Sequence, residues 1–179
     1  MSKYFVFFFL ILGLLGVTAQ VAAQQATVQT AVDKQLDFNE KVNRMLSFSV
    51  PFISVGELDR NQNDYIILDS REKEEYKVGH IRGAKCIGYD DFDIKELAGI
   101  DKDAKIAVYC SIGYRSEKIT EKLRKAGYVN AVNVYGSIFQ WVNDGKPIYN
   151  EDGDQVQELH TYNRKWSKWV TTEKVKKTW

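Results

Sequence analysis

Cys110 stands five residues before Arg115 in the stretch Cys110-Ser111-Ile112-Gly113-Tyr114-Arg115-Ser116. The apolar run Ile106-Ala107-Val108-Tyr109 precedes it and a helical pattern follows from Glu117. The reactive form of cysteine is the thiolate, and a free thiol with a pKa of about 8.5 is mostly protonated at neutral pH. Three features of this stretch are expected to favour the anion. A short loop lets successive backbone N–H groups turn toward one anionic centre. A helix starting near Ser116 directs its positive end to the same place, and Arg115 adds a cation. The bland alternative, a small buried hydrophobe, leaves the Gly113 turn and Arg115 without a role. Ser111 and Ser116 read as capping or hydrogen-bonding residues, and Tyr114 as a wall of the loop.

The elements that must position this loop alternate between strand and helix. Apolar runs at 50–53, 65–69, 85–89, 106–109 and 129–134 read as five strands. Helical patterns lie between them at 71–77 and 90–97, after the cysteine loop, and at 137–143. Ser54 and Glu57 form a capping pattern, with Ile53 and Leu58 at the staple positions of a further short helix from Val55. The helix after the cysteine loop carries Ile119, Leu123 and Ala126 and stops at Gly127. This order predicts an α/β fold with a five-stranded parallel sheet flanked by helices. Ligands of such sheets bind beyond the carboxyl ends of the strands, where Cys110 lies.

The chain of 179 residues accommodates one domain of ordinary size after a leader segment. With 44% hydrophobic residues it has the composition of a folded protein, and a net charge of +1 gives no global field to attract nucleic acid. Lys3 precedes an uncharged apolar run through Val17, and Val21-Ala22-Ala23 offers small residues for cleavage. Residues 1–23 therefore read as a secretory signal, with an uncleaved anchor as the alternative. Export to a periplasm or the medium is expected either way, with membrane attachment only if the signal stays on. Residues 24–49 read as a tether with a short helix starting at Asp37, and 50–150 as the domain. Residues 151–179 read as a basic and aromatic extension, helical in character. Residues 160–179 hold six basic residues against Glu173, a local charge of +5 that leaves −4 for the rest.

Several blocks together carry a family resemblance. They are Asp69-Ser70-Arg71-Glu72, Glu75-Tyr76, Gly79-His80-Ile81-Arg82-Gly83-Ala84, the cysteine loop, and Gly127-Tyr128 through Tyr135-Gly136 to Trp141, Gly145 and Pro147-Ile148. In this order and spacing the chain, over roughly 50–148, resembles a single-domain rhodanese. Ser70 and Ser137 depart from the valine and second glycine usual there. The resemblance implies a sulfurtransferase with the strand order 1-5-4-2-3. Cys110 would carry a sulfane sulfur as a persulfide, with no metal or organic cofactor. Arg115 would steer an anionic donor, the loop amides from Ser111 to Ser116 would bind the anionic sulfur, and Asp69 and Arg71 would be structural charges near the strand end.

The expected partners are thiosulfate or a persulfide as donor and a thiol or cyanide as acceptor. An alternative reading is a persulfide carrier that docks a protein partner through the C-terminal tail. A phosphatase or arsenate reductase is disfavoured by loop length. Four residues separate Cys110 from Arg115 where the tyrosine phosphatase signature has five, and no general acid is evident. His80 reads as a structural hydrogen bonder and gives no metal spacing, while His160 is weighed as a cover for the loop mouth. The implied strand order separates Cys86 from Cys110, which disfavours a disulfide.

Overall fold

Strands of a parallel sheet covered on both faces must be apolar throughout, and the four residues of Ile106–Tyr109 are all buried. The computed structural model describes residues 3–179, with side chains described from residue 20 onward. The chain divides into two units, Met1–Asn39 and Glu40–Trp179, and the sheet belongs to the second. Its strands are β1 (Phe52–Ser54), β2 (Ile66–Asp69), β3 (Lys85–Cys86), β4 (Ile106–Tyr109) and β5 (Ala131–Tyr135). They are ordered β1-β5-β4-β2-β3 and all parallel, as the resemblance implied. Leu68, Leu97, Val108, Ile119 and Leu123 form the centre of a buried cluster against this sheet.

The flanking helices start where local chemistry allows. Before α2 (Val55–Arg60), Ser54 accepts a hydrogen bond from the Glu57 amide at 3.1 Å, and Ile53 and Leu58 are both buried. Helix α3 (Lys73–Val78) begins with a reciprocal capping box between Glu72 and Glu75. Helix α4 (Tyr114–Lys125) follows the cysteine loop, and α5 (Ser137–Asn143) follows β5. The helix expected over 90–97 is reduced to a 3-10 turn, Ile94–Leu97. The Asp93 carboxylate accepts from the Lys95 amide and sets a late start, and Gly99, with φ +93, ends the segment.

Both ends of the chain depart from expectation. The tether and the separate helix from Asp37 are replaced by one helix, α1 (Lys3–Met45). No glycine or proline interrupts residues 24–45, and their Gln, Ala, Lys, Leu, Glu, Arg and Met favour helix. Asp37 thus lies inside a helix instead of capping one. The expected signal, 1–23, falls in large part outside the residues whose side chains are described. Among the described residues no helix is long and apolar enough to cross a membrane.

The C-terminal extension is built of strands and a 3-10 turn, not of α-helix. Strands β6 (Ile148–Tyr149) and β7 (Gln155–Val156) form an antiparallel hairpin, and β8 (Glu158–His160) pairs in parallel with β9 (Lys176–Thr178). The segment is rich in β-branched residues, Val170, Thr171, Thr172, Val175 and Thr178, which suit extended backbone. Leu159 and Val170 are fully buried. The Asn143 side chain donates to the Trp169 carbonyl at 2.9 Å and accepts from the Thr171 amide at 2.7 Å, tying the return path to α5.

Gly79 supplies the seat for β8. A Cβ there would lie 2.6 Å from the Glu158 carbonyl oxygen and 2.8 Å from Ile148 Cδ1. Gly79→Ala is therefore expected to destabilise the fold by about 1–3 kcal/mol through overpacking. Urea unfolding measures this, and an unchanged midpoint would refute the close approach.

Candidate active site

Cys110 follows the last residue of β4, and its side chain is 1% exposed at the base of a cavity of about 310 Å³. Its Sγ accepts a hydrogen bond from the Gly113 amide at 3.2 Å. Gly113 has φ +119 and is the N-cap of α4, so the helix begins two residues earlier than the sequence suggests. A side chain there would be strained by that φ and would reach van der Waals contact with Leu46 Cδ2 at 3.4 Å. The loop is thus a tight turn that delivers an N–H and a helix N-terminus to one sulfur atom.

Two side chains from β5 and α5 hold the loop from behind. Asn133 donates to the Gly113 carbonyl at 3.0 Å and accepts from the Ser116 hydroxyl at 2.7 Å. The Ser137 hydroxyl accepts from the Cys110 amide at 3.1 Å and donates to the Val134 carbonyl at 2.9 Å. The first amides of α5 continue the clamp, Ile138 N–H to the Cys110 carbonyl and Phe139 N–H to that of Ser111. Ser137 has φ +50, a conformation that costs a non-glycine residue roughly 1–2 kcal/mol. The hydroxyl bridge to Cys110 offsets that strain, which gives a physical reason for serine where a second glycine is usual.

Arg115 is not the free cation its sequence position suggests. Its Nη1 and Nη2 donate to the two Glu75 carboxylate oxygens at 2.7 and 2.9 Å, and Nη2 also donates to Ser111 Oγ at 3.1 Å. The side chains are 16% and 3% exposed. Burial opposes the charge on Arg115, but the hydrogen bond to Glu75 and the negative charges of Cys110 and Glu75 outweigh it and raise its pKa. Burial likewise opposes ionisation of Glu75, yet Arg115, with help from Arg71, holds its carboxyl below the usual 4.5. The guanidinium faces Tyr162, with its carbon 5.5 Å from the ring centroid.

The other expected positions fall as follows. Arg71 Nε and Nη2 bind the Asp69 carboxylate at 2.7 to 3.1 Å with both side chains fully buried, and Nη2 also donates to the Gly79 carbonyl. They form a structural pair away from the cavity lining. Ser70 Oγ donates to the Tyr109 carbonyl at 3.0 Å, a bond a valine would lack. His80 is buried, stacked on Tyr76 with 3.8 Å between centroids, and its Nδ1 lies 3.0 Å from the Tyr76 carbonyl. Asp69 pairs with Cys86 on one side and with Tyr109 on the other. Cys86 and Tyr109 are therefore two strand spacings apart, about 9–10 Å. Cys110 follows Tyr109, and both cysteines are free.

Ser111, Ile112, Tyr114 and Arg115 line the cavity with Cys110, while Ser116 faces Asn133. Met45, Glu72, Tyr89, Asp90, Tyr162 and Trp166 complete the lining, none of them evident from the sequence. His160, weighed as the cover, instead accepts from the Tyr162 amide at 3.2 Å. Glu75 had a detectable signal in its spacing of three from Glu72. Tyr162 and Trp166 had none, because their place depends on how the tail folds back.

A family model described as the rhodanese-like domain matches residues 54–144. The tRNA uridine(34) hydroxylase of Bdellovibrio bacteriovorus is 32% identical over 89 residues, covering 48% of this chain and 25% of that protein. The adenylyltransferase and sulfurtransferase uba4 of Ogataea parapolymorpha is 29% identical over 100 residues, covering 54% and 25% respectively. The chain thus spans about a quarter of the length of these curated relatives. Among solved structures, a thiosulfate sulfurtransferase from Pseudomonas aeruginosa superposes with a TM-score of 0.52 at 24% identity, over 65% of this chain and 22% of that one. The rhodanese-like domain of an Anabaena sp. protein gives 0.52 at 24% identity, over 56% and 79%. At these identities the structural likeness is one of fold.

Replacing Glu75 with Gln removes the carboxylate that balances the largely buried Arg115 charge and leaves it only neutral acceptors, at an expected cost of about 3 kcal/mol. Because the folded Glu75 carboxyl titrates below its usual 4.5, its contribution is complete above pH 4.5 and is lost as the pH falls through the folded value. Unfolding free energies of wild type and E75Q should therefore converge on acidification. A difference that is flat across this range would refute the pair's role.

Proposed function

This chain belongs to the rhodanese-like domain family, and we propose that it is a sulfurtransferase in which Cys110 carries the transferred sulfur. The observation that supports this most is the Cys110 sulfur itself, held at 3.2 Å by the Gly113 amide at the base of a cavity and before the N-terminus of α4. In the first step the Cys110 thiolate attacks the outer sulfur of a persulfide or thiosulfate. The new Cys110 S–S bond forms as the donor's bond to that sulfur breaks, and a thiolate or sulfite leaves. In the second step an acceptor thiolate or cyanide attacks the outer sulfur of the persulfide and returns Cys110 as a thiolate. Such covalent exchange gives ping-pong kinetics.

The loop's own residues supply orientation. The Gly113 amide and the end of α4 favour negative charge on sulfur in both the thiolate and the persulfide. Asn133 and Ser137 keep the loop backbone in the geometry that presents them. Arg115, bound to Glu75 and Ser111, acts as a brace of the wall more than as a steering charge. The hydroxylase of the first comparison is matched over a quarter of its length, and no hydroxylation is carried over. We also propose export, supported by the apolar leader and the small residues before Gln24.

Mass spectrometry of the protein after donor treatment is expected to show one added sulfur on Cys110 in the wild type and none in Cys110→Ser. Turnover should fall at least about a thousandfold in that variant, the scale expected for loss of a covalent nucleophile. Full turnover without Cys110 would sink the reading. The same spectra read the N-terminus, and a secreted protein retaining residues 1–23 would refute cleavage after Ala23.

A further inference from the structure

The proposed transfer leaves the organic partner undefined, and the cavity walls restrict its chemistry. Glu72 and Asp90 border the cavity, and the lining guanidinium of Arg115 is bound by the Glu75 carboxylate. These four groups sum to −2, a poor setting for a dianion. Lys41 and Lys122 lie over the Trp166 and Tyr89 rings at 5.1 and 6.0 Å, outside the lining set. The remaining wall is apolar and aromatic, chiefly Met45, Ile112, Tyr162 and Trp166. At about 310 Å³ the space reaches the lower end of small-molecule sites, about 300 Å³. That leaves room for an organic group beyond the single sulfur that is moved.

Resting on the sulfur-transfer reading, we propose that the partner is an uncharged or cationic thiol, with its persulfide as the donor form, bearing an apolar or aromatic body. That body packs on Tyr162 and Trp166, which set the specificity. Both lie beyond residues 54–144, in the loop that leaves β8. Tyr162 has φ +67 and is 55% exposed, so its ring offers open surface at the mouth above Arg115. An aromatic face open to solvent on one side and joined to an apolar cavity on the other suits an apolar body. An anionic body would meet Glu72 and Asp90 with no unpaired cation in the lining to offset them. In the unloading step the acceptor thiolate takes the outer sulfur, forming R–S–S⁻ as the Cys110 S–S bond breaks and Cys110 leaves as a thiolate. The loading step is the reverse, so one body-binding wall serves both.

The test loads Cys110 with sodium tetrasulfide and follows removal of the sulfur by phenylethanethiol, cysteamine, mercaptopropionate and cyanide. Each rate is divided by the same thiol's or cyanide's rate with a small free persulfide, which removes intrinsic nucleophilicity. Phenylethanethiol is expected to exceed mercaptopropionate by about tenfold, an aromatic contact's worth. In Tyr162→Ala and Trp166→Ala the ratio of phenylethanethiol to cyanide should fall about threefold or more. In Asp90→Asn, mercaptopropionate should gain about twofold relative to phenylethanethiol. Within-variant ratios keep the comparison independent of how much protein folds. Loading followed by charge-blind unloading, or a ratio that survives both alanine substitutions, overturns this proposal alone. No sulfur on Cys110 after tetrasulfide overturns the underlying transfer as well.

Discussion

The Glu75 carboxylate connects two segments that leave the neighbouring strands β2 and β4 in different directions. It closes the capping box of α3, receives both terminal nitrogens of Arg115, and lies 3.5 Å from Ser111 Oγ. One nearly buried acid therefore ties the helix after β2 to the loop after β4. Removing a partner from such a pair leaves an uncompensated charge, so loop and helix are fixed together. The cost is functional as well as energetic, because the cation beside the nucleophile is already committed to a carboxylate.

Behind the loop, the support comes from neutral hydrogen bonds. Asn133 grips the Gly113 carbonyl, and Ser137 spans the Cys110 amide and the Val134 carbonyl. Each is buried and hydrogen-bonded to loop backbone, with Ser116 as a further partner of Asn133 and the β5 carbonyl of Val134 as that of Ser137, as buried polar groups must be. The strained φ of Ser137 fits this pattern of local cost near a functional site. Strand, loop and helix are thereby held so that one N–H and one helix end face one sulfur atom.

The C-terminal segment turns this general loop into a particular cavity. Glycine at position 79 lets the Glu158 carbonyl approach the backbone beside α3, and β8 then carries the chain to Tyr162 and Trp166. These rings, with Met45 from the end of α1, enclose a space that residues 54–144 alone leave open. The tail carries a local charge of +5, but the side chains that reach the cavity are its aromatics, Tyr162 and Trp166.

Local chemistry in the sequence determined much of the domain. Apolar runs long enough for buried strands, the Ser54 cap with its Ile53 and Leu58 staple, Gly127 as a stop, and Cys110 between a strand and a helix all specify their conformations from near neighbours. The alternation of strand and helix made the parallel sheet legible in the same way, whereas its strand order came from the family resemblance. Tertiary structure decided what depends on residues distant in sequence. Arg115 is neutralised by an acid 40 positions away, and Asn133 and Ser137 reach back 20 and 27 positions to the loop. In the tail the β-branched residues already suited strands, and burial of Leu159 and Val170 with the Asn143 bonds decided where those strands lie. Short-range patterns determine where a reactive sulfur sits, whereas the charge and shape around it arise from contacts that form only when the chain closes on itself.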